Sequence, residues 1–321
     1  MTEPAMDRLH SRVPLPQVSE LARQVRDFFE RLQGEIRSAL EETDGAAVFS
    51  ADQWERPGGG GGRACIMQEG ALFEKAGVNF SEVYGHLPEA LVRSMNVGTA
   101  QFYATGISLV LHPWSPMIPT VHMNYRYFEQ EDGTSWFGGG SDLTPSYPFV
   151  EDIVHFHQVL KRACDAHDPD FYRKFKRWCD EYFFIKHRHE GRGVGGIFFD
   201  YLKGDPAKTF AFVQSAGAAF LESYLPIVER RRNASWGDQE KRWQLLRRGR
   251  YVEFNLVYDR GTLFGLETGG RAESILMSLP PEARWDYAMH VEPGSREAEL
   301  VALLSQPREW IVEREGNERE R

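Results

Sequence analysis

Five polar side chains that could do chemistry together lie in two β-like runs, ISLVLHP and PTVHMNYRY. Ser108 and His112 are four residues apart in the first run, while His122, Asn124 and Arg126 occupy alternate positions in the second. Because side chains alternate between the two faces of a strand, each set shares one face. A hairpin of these runs would gather two imidazoles, an amide and a guanidinium. The alternative is a half-solvated sheet whose outer face is merely polar.

Two further histidines are predicted to face inward on helices. His157 lies in line with apolar residues at helical spacing, and His187 follows a second row of that kind. Together with His112 and His122, they would supply four imidazoles for a divalent metal site. No HExxH motif accompanies them, so the spacing does not show that they converge. Each helical histidine is alternatively a hydrogen-bonded residue of the core.

Asp142 and two arginines are candidates for holding a ligand. Asp142 follows three glycines, where a ligand can approach the backbone closely, although a turn or capping role fits the same pattern. Arg126 lies on the polar strand face, and Arg271 directly follows two glycines. Either guanidinium could clamp a carboxylate through two parallel hydrogen bonds. A structural ion pair is the alternative for each.

The composition excludes several classes of protein. The 321-residue chain has a net charge of -9, so it lacks the basic surface that nucleic acid or an anionic membrane would require. Its three cysteines form no CxxC or CxxxCxxC motif, which argues against a disulfide framework and an iron–sulfur cluster. The first residues do not resemble a signal peptide, and no uncharged apolar run is long enough to span a bilayer. We therefore expect a cytoplasmic protein without integral membrane association.

The hydrophobic periodicity predicts helices and strands in one domain. The predicted helices cover about residues 18–40, 149–164, 169–189 and 206–232, the last with a kink or break at Pro226. The glycines at 58–62 are expected to form a loop, residues 63–85 short strands and turns, and residues 251–266 a second hairpin. No linker composition divides the chain, so we expect one domain over residues 16–312, with a mobile start at 1–15 and a charged tail at 313–321.

Several long sequence words place the chain beside a known family. They include AGVNFSEVYG, ISLVLHP, PTVHMNYRYFE, WFGGGSDLTP, DEYFFIKHRHEGRGVGGIFFDYL, YLPIVERRR and YVEFNLVYDRGTLFGLETGGRAESILMSLPP. In these words the chain resembles the oxygen-dependent coproporphyrinogen III oxidases of haem biosynthesis, and the resemblance extends from about residue 28 to residue 310. The anaerobic class of coproporphyrinogen oxidase is a radical enzyme that needs a CxxxCxxC motif, which this chain lacks.

The resemblance implies a fold, a reaction and partners. The implied fold is α+β, with a large antiparallel sheet flanked by helices on both faces. The implied reaction is the oxidative decarboxylation of two propionates of coproporphyrinogen III to vinyl groups, which forms protoporphyrinogen IX with molecular oxygen as co-substrate. The resemblance further implies a homodimer with residues 251–278 at the interface, a divalent cation such as manganese, and no organic cofactor.

The resemblance also assigns roles to individual residues. His122 corresponds to the family's proton donor, Asp142 to a carboxylate thought to hold the pyrrole nitrogens, and Arg126 completes the implied catalytic set. The implied substrate contacts are Ser108, Asn124, Tyr125, Arg126, Gly269, Gly270 and Arg271. The implied metal ligands are His112, His122, His157 and His187. Because an imidazole that coordinates a metal is not free to donate a proton, residue chemistry favours the proton role for His122.

Two other functions are consistent with the residue types. A non-catalytic tetrapyrrole-binding protein would need the arginines but could dispense with Asp142 and His122. A metal-dependent oxygenase or hydrolase would instead use the four histidines. Activity of variants at Asp142 and His122 discriminates the first alternative, and the metal content of the purified protein discriminates the second.

Overall fold

A computed structural model gives the architecture of the chain and describes residues 17–87, 101–267 and 270–311. The strands within these ranges are β1 (Ser50–Glu55), β2 (Gly60–Gln68), β3 (Phe73–His86), β4 (Gln101–Pro113), β5 (Thr120–Gln130), β6 (Ser135–Thr144), β7 (Phe184–Ile185), β8 (Glu190–Gly191) and β9 (Gly196–Leu202). Seven of them form one antiparallel sheet in the order β1-β2-β3-β4-β5-β6-β9. Strands β7 and β8 pair separately as a short ribbon.

Helices lie on both faces of this sheet. They are α1 (Glu20–Asp44), α2 (Val150–Asp165), α3 (Phe171–Tyr182), α4 (Pro206–Arg231), α5 (Asp238–Val257), α6 (Arg260–Glu267), α7 (Ala272–Ile275) and α8 (Arg296–Leu304), with a 3-10 turn at Leu276–Ser278. Helices α1 and α4 pack against one face, whereas Tyr251 of α5 contacts His112 on the other. The α+β fold implied by the resemblance is therefore confirmed.

One face of the sheet forms the main core. Alternate side chains of β5, namely Val121, Met123, Tyr125 and Tyr127, are buried there beneath α1 and α4. The two-residue period of a strand places all four on this side. Full burial of each large apolar side chain stabilises the fold by about 1.5–3 kcal/mol, so this face supplies much of the driving force for folding.

Side-chain hydrogen bonds anchor helix α1 at both ends. At its start, Ser19 Oγ accepts a hydrogen bond from the Ala22 N–H over 3.0 Å. At its end, the Asp44 carboxylate accepts from the backbone N–H groups of residues 71–73, where the chain enters β3. Burial opposes the ionisation of Asp44, but these hydrogen bonds bring its pKa below the usual value. The ionised carboxylate thus ties α1 to the sheet.

The structure corrects two predictions about the second half of the chain. Residues 251–266 lie in α5 and α6 instead of a hairpin, since Tyr251 and Phe254 bury one side of a helix and short apolar runs fit either period. Helix α3 ends at Tyr182 instead of residue 189, because the chain turns there into β7 and β8. His187 consequently lies in the turn between those strands and does not face inward on a helix.

The structure also contradicts a break of the helix at Pro226 and a loop over all of residues 58–62. Helix α4 continues through Pro226, because the neighbouring Ile227 and Val228 are fully buried and packing outweighs the lost hydrogen bond. Gly60 begins strand β2, and its φ of +85° is readily adopted only by glycine. Residues 63–85, expected as short strands and turns, lie mainly in the long strands β2 and β3.

The ends of the expected domain fall largely outside the part of the chain that the structure describes. The predicted mobile start at 1–15 and the charged tail at 313–321 both lie there. Among the described helices, none combines the length and the apolar character needed to cross a membrane.

Candidate active site

The polar face of β4, β5 and β6 brings the central candidate residues together. Ser108 pairs in register with Asn124, and His122 pairs with Asp142, so all four side chains lie opposite the main core. Arg126 lies two residues beyond Asn124 on the same side of β5. The hairpin expected from the residue spacing is therefore confirmed, and β6 adds the aspartate to it.

Three glycines occupy the sheet between these side chains. Gly106, Gly138 and Gly140 lie on the same face, directly opposite the polar residues of β5. A Cβ atom on Gly140 would lie 2.2 Å from the backbone oxygen of Ile197 on β9, so this position cannot hold a larger residue without a shift of the strands. At Gly138 the Arg126 guanidinium and the Asp200 carboxylate take up the space that a side chain would fill, since a Cβ atom there would lie 2.8 Å from Asp200 Oδ1 and 2.9 Å from Arg126 Nε.

Asp142 links His122 to a buried arginine that the sequence analysis did not single out. His122 Nδ1–H donates to Asp142 Oδ1 over 2.7 Å. Arg192 donates from one terminal nitrogen to the two oxygens of the same carboxylate, over 2.9 and 2.8 Å. The Asp142 and Arg192 side chains are each 2% exposed, whereas that of His122 is 21% exposed. His122 is therefore the member of this group that a ligand on the sheet can reach.

Aromatic rings enclose the Arg192 guanidinium. Its central carbon lies 4.0 Å from the ring centroid of Phe183, 4.7 Å from that of Tyr251 and 4.9 Å from that of Phe254. The second terminal nitrogen donates to Asn255 Oδ1 over 2.8 Å. Burying a charge is costly unless partners compensate for the lost water. The carboxylate, the amide and the ring faces supply most of that compensation, while the buried Nε of Arg192 has no hydrogen-bond partner among the described residues.

The charge of Arg192 keeps Asp142 ionised. Burial alone would raise the pKa of Asp142, but Arg192 and the hydrogen bond from His122 hold it below its usual value. An ionised carboxylate can only accept hydrogen bonds, so the Nδ1 of His122 must carry a proton. The Nε2 atom is then the nitrogen that can take up or release a proton, as in the aspartate–histidine pair of hydrolytic triads.

A second charged group lies further along the polar face. Arg126 Nη2 lies 2.7 Å from Asp200 Oδ1, and Arg260 Nη2 lies 3.4 Å from Asp200 Oδ2. The carboxylate is 9% exposed, while the two arginines are 40% and 57% exposed. One buried negative charge thus holds two accessible positive charges. The excess positive charge can bind an incoming carboxylate about 13 Å along the strand from His122.

Asn79 of β3 extends the polar row beyond Ser108. The register pairs Asn79 with Ser108, and Ser108 with Asn124, so three short polar side chains cross adjacent strands on one face. Asn79 Oδ1 is buried and has no hydrogen-bond partner within the described ranges. A buried acceptor without a donor is costly, so Asn79 is a further candidate for a ligand contact.

Tyr125 does not lie with the other candidate residues of β5. Its side chain is fully buried on the core face, where the ring centroid is 6.2 Å from that of Phe199. Burial raises the pKa of the Tyr125 hydroxyl far above its usual value. The implied substrate contact at this position would therefore have to involve the backbone.

Arg271 and its neighbours lie toward the far edge of the sheet. Arg271 forms an ion pair of 2.5 Å with Asp52 of β1. The strand register pairs Asp52 with Ala64 of β2, and Ala64 with Asn79 of β3. The N–H of Gly270 donates to the backbone oxygen of Gly265 over 2.8 Å. The remaining implied contact of this group, at position 269, lies outside the described residues.

Comparison with known proteins decides which family this architecture represents. The family model described as coproporphyrinogen III oxidase matches residues 24–310. The chain belongs to the coproporphyrinogen III oxidase family. It is 53% identical over 308 residues to the oxygen-dependent coproporphyrinogen-III oxidase of Parasynechococcus marenigrum, with 87% of this chain and 85% of that protein covered.

A second relative of the same name matches a similar share of the chain. The oxygen-dependent coproporphyrinogen-III oxidase of Prochlorococcus marinus is 49% identical over 317 residues, with 90% of this chain and 92% of that protein covered. The resemblance that the sequence words indicated is thereby confirmed.

His157 has a hydrogen-bond partner at each ring nitrogen. Its Nδ1 lies 2.9 Å from the Tyr172 hydroxyl, and its Nε2 lies 3.1 Å from the backbone oxygen of Val194. Burial lowers the pKa of the His157 imidazole to about 3, so the ring is neutral at physiological pH. This arrangement is that of a hydrogen-bonded core histidine, the alternative considered from sequence.

His187 also uses both nitrogens, but at the surface. Its Nδ1 lies 2.7 Å from the Tyr258 hydroxyl, and its Nε2 lies 2.7 Å from a carboxylate oxygen of Glu253. The side chain is 41% exposed. His187 thus connects the β7–β8 turn to the end of α5.

The metal site implied for this family does not form in the described residues. No three histidine, cysteine, aspartate or glutamate side chains in residues 17–87, 101–267 and 270–311 are arranged to hold an ion. His112, His157 and His187 each have partners within the chain at both ring nitrogens. We assign no step of the reaction to a metal ion.

Besides Asn79, three site residues were not identified from periodicity, namely Arg192, Asp200 and Arg260. Arg192 lies between β8 and β9, and it is 50 residues from Asp142 in the sequence. Arg260 begins α6 and is 60 residues from Asp200. The words HEGRGVGGIFFDYL and YDRGTLFGL, which carry the family resemblance, were the signal that could have drawn attention to all three.

Proposed function

We propose that this chain oxidatively decarboxylates two propionates of coproporphyrinogen III with molecular oxygen, and that His122 transfers protons in that reaction. The observation that carries the proposal is the His122–Asp142–Arg192 group on the polar face of the sheet. The family membership and the names of the relatives support the substrate and the oxygen dependence. The product is protoporphyrinogen IX, an intermediate of haem biosynthesis.

Each decarboxylation balances without an organic cofactor. A propionic acid group and one oxygen molecule give a vinyl group, carbon dioxide and hydrogen peroxide. The breaking carbon–carbon and carbon–hydrogen bonds release two electrons that oxygen accepts, and two protons complete the peroxide. The porphyrinogen is electron-rich and can supply electrons itself, so the chain's residues need only bind the ring, orient it and move protons.

His122 is the residue placed for proton transfer, and Asp142 is its positioning residue. Asp142 is almost inaccessible, and its carboxylate already accepts hydrogen bonds from His122 and Arg192. We therefore assign the direct substrate contact to His122 Nε2 and the orientation of the imidazole to Asp142. The pyrrole contact that the resemblance implies for Asp142 would require its carboxylate to exchange one of these partners.

The positive charge at Arg126 and Arg260 supports binding of a propionate. A carboxylate between these guanidiniums would replace the water around two accessible cations that Asp200 already holds in place. Ser108 and Asn124 lie between this point and His122 on the same face. A substrate spanning this face could therefore place one propionate at the arginines while another part of the ring contacts His122.

Product analysis tests the proposed reaction. Purified protein is mixed with coproporphyrinogen III in air and, in parallel, without oxygen, and the products are separated by chromatography. We expect protoporphyrinogen IX only with oxygen. His122→Gln and Asp142→Asn should lower kcat by about 10²–10⁴-fold, the usual contribution of a positioned proton-transfer group. His290→Gln is a matched control, because His290 is 79% exposed.

The alternatives predict different outcomes. A tetrapyrrole-binding protein would bind coproporphyrinogen III in all variants and form no product in any of them. A metal-dependent oxygenase would lose activity after chelation and regain it with manganese. If the His122→Gln variant turned over at the wild-type rate, the proton-transfer role of His122 would be ruled out.

We also propose that a second copy of the chain covers the ends of α5 and α6. Leu256, Val257, Leu263 and Leu266 are between 36% and 54% exposed there, within the region 251–278 that the resemblance implies for dimerisation. Apolar side chains clustered on a surface are typical of protein interfaces. Burying them against their symmetry equivalents would remove this apolar surface from water.

Light scattering after size-exclusion chromatography tests the dimer. We expect a mass near twice 36.8 kDa for the wild type and near 36.8 kDa for the variant Val257→Glu with Leu263→Glu. Val48→Glu is the matched control, because Val48 is 74% exposed but lies just before β1. A variant mass equal to that of the wild type would show that α5 and α6 do not form the interface.

A cytoplasmic location and a single domain over residues 16–312 complete the proposal. Cys65, Cys164 and Cys179 are all buried free thiols, which is typical of a reducing compartment. The continuous sheet from β1 to β9 and the family match over residues 24–310 support one domain. Cell fractionation tests the location, and limited proteolysis should yield one resistant fragment close to 16–312.

A further inference from the structure

Residues 270–279 form a covering segment over one end of the polar sheet face. The segment contains α7 and the 3-10 turn, and it begins with the implied substrate-binding pair Gly270 and Arg271. A Cβ atom on Gly77 of β3 would lie 2.5 Å from Cγ and Sδ of Met277. The methionine side chain thus rests on bare backbone of β3, and only 5% of Met277 is exposed.

Two neighbouring side chains of the sheet hold the end of this covering segment. His112 Nε2 lies 2.9 Å from the backbone oxygen of Ser278, and Lys75 Nζ donates to the backbone oxygen of Leu279 over 2.8 Å. Lys75 and His112 are direct register partners on β3 and β4. Consecutive carbonyl groups of the covering segment are therefore bound by adjacent strands.

These contacts define the state of His112. A backbone carbonyl can only accept a hydrogen bond, so Nε2 must carry a proton. The Nδ1 atom accepts from the Thr120 hydroxyl at 3.3 Å, and the ring packs edge-on against Tyr251 with centroids 5.4 Å apart. The side chain is buried. Both ring nitrogens therefore have hydrogen-bond partners, and the Nε2 hydrogen points to the covering segment.

A chain of hydrogen bonds joins the same segment to the proton-transfer group. Asn255 Nδ2 donates to Ser278 Oγ over 3.3 Å, and Asn255 Oδ1 accepts from Arg192 over 2.8 Å. Arg192 in turn holds the Asp142 carboxylate that orients His122. Movement of the 3-10 turn would therefore disturb the partners of the catalytic imidazole.

We infer that His112 is a positioning residue, which places the covering segment over the substrate face by donating its Nε2–H to the Ser278 carbonyl. The inference rests on the proposed function for its effect on turnover, but its structural part stands independently. The role requires a hydrogen-bond donor at this point and does not require an imidazole that binds metal. Glutamine, which carries an amide donor at a similar reach, should replace His112, whereas leucine should not.

Hydrogen exchange and steady-state kinetics of three variants test this inference. His112→Leu should speed amide exchange in residues 270–279 by up to about tenfold, the factor that one ordinary hydrogen bond is worth. It should raise KM for coproporphyrinogen III by a similar factor, with a smaller change in kcat. His112→Gln should stay within about threefold of the wild type in both measurements.

Lys75→Met separates loss of the anchor from general damage to the fold. Lys75 lies beside His112 and binds the next carbonyl, so this variant should shift exchange and KM in the same direction without altering the histidine. Exchange in α2, which packs against α3, α4 and β9, serves as the internal reference. It should remain at the wild-type rate in all three variants.

Three outcomes would overturn the inference. Unchanged exchange of residues 270–279 in both His112→Leu and Lys75→Met would show that these side chains do not hold the segment. Equal loss of activity in His112→Gln and His112→Leu, with wild-type exchange in the glutamine variant, would require an imidazole-specific role. A stoichiometric metal ion lost from both His112 variants would show a ligand. A wild-type protein without oxidase activity would refute the proposed function but leave the exchange test valid.

Discussion

The two faces of the central sheet differ in what stabilises their side chains. On the core face, Tyr125 and its neighbours at alternate positions are apolar or aromatic and pack beneath α1 and α4. On the opposite face, the same strand presents His122, Asn124 and Arg126, whose partners are charged or polar groups. The core face is stabilised by removal of apolar area from water, and the polar face by specific pairing.

This difference determines what a substitution should do. Loss of volume on the core face should lower stability without altering the chemistry of the folded enzyme. Loss of a partner on the polar face should alter binding or turnover, and it should lower stability only where a buried charge is left unpaired. The predictions that follow use this distinction, and the largest expected effect comes first.

Arg192→Met should produce the largest change on the polar face. It leaves the buried Asp142 carboxylate without its cation, which typically lowers the free energy of unfolding by about 3–5 kcal/mol. Combining it with Asp142→Leu should restore much of the stability, because no charge then remains buried, but the double variant should stay inactive. Urea unfolding and the oxidase assay measure the two effects. Activity in the double variant would show that the pair serves stability alone.

Tyr125→Ala should produce the matching change on the core face. Removal of a large buried ring typically lowers the free energy of unfolding by about 3–5 kcal/mol. At a temperature where the variant is folded, KM should remain within about twofold of the wild type, since the ring does not reach the polar face. Asn124→Ala is the control, with the opposite result of a raised KM and little loss of stability.

Tyr125→Phe refines this comparison. The Tyr125 hydroxyl is buried without a hydrogen-bond partner in the described structure, so its removal should not lower stability. A large rise in KM for the phenylalanine variant would instead support a direct substrate contact by this hydroxyl.

Acid should destabilise the fold by protonating Glu253 of α5. Burial opposes its ionisation, but hydrogen bonds from Arg188, His187 and Trp285 lower the pKa of Glu253 to about 2. Because the folded pKa lies below the unfolded value of about 4.3, the stabilisation is complete above about pH 5 and is lost as the pH falls toward about 2. Glu253→Gln should lower stability at neutral pH by about 1–3 kcal/mol and flatten the acid limb of the stability curve. Parallel acid limbs for variant and wild type would contradict this.

Arg260→Gln should have the smallest effect. Arg260 is 57% exposed and shares Asp200 with Arg126, so its contribution to carboxylate binding should be about 1 kcal/mol or less. We expect KM to rise by up to about fivefold, with an unchanged kcat and a smaller difference at high salt. Arg173→Gln is the control, because Arg173 is 74% exposed on α3. Identical salt dependence of KM in Arg260→Gln and the wild type would place Arg260 outside the binding site.

The core face could be predicted from sequence because its pattern is local. Val121, Met123 and Tyr125 alternate with polar residues over a few positions, and a strand necessarily separates the two sets. Helix α1 could be predicted in the same way, since its apolar residues recur at helical spacing. The hairpin that carries Ser108 and His122 followed from the same reasoning.

The partners on the polar face could not be predicted in this way because they come from distant parts of the chain. Nothing in the periodicity around Arg192 relates it to Asp142, and the end of α5 was expected to form a hairpin because its apolar residues fit both periods. The four histidines share a residue type, but tertiary structure gives three of them unrelated partners. The prediction that His157 faces inward was correct. The same prediction for His187 was wrong, because the helix that was expected to contain it ends at Tyr182.

The buried ion pair between β6 and the loop before β9 has a consequence for how the protein is made. Asp142 is synthesised 50 residues before Arg192, with α2 and α3 between them. Until Arg192 docks, the aspartate has no cation to compensate for burial, so the end of the sheet should stay open to water. Contacts of such sequence separation form late because the chain must first close the intervening loop. Docking of Arg192 would then both orient His122 and complete the fold. A newly synthesised chain should therefore become stable and active at the same time.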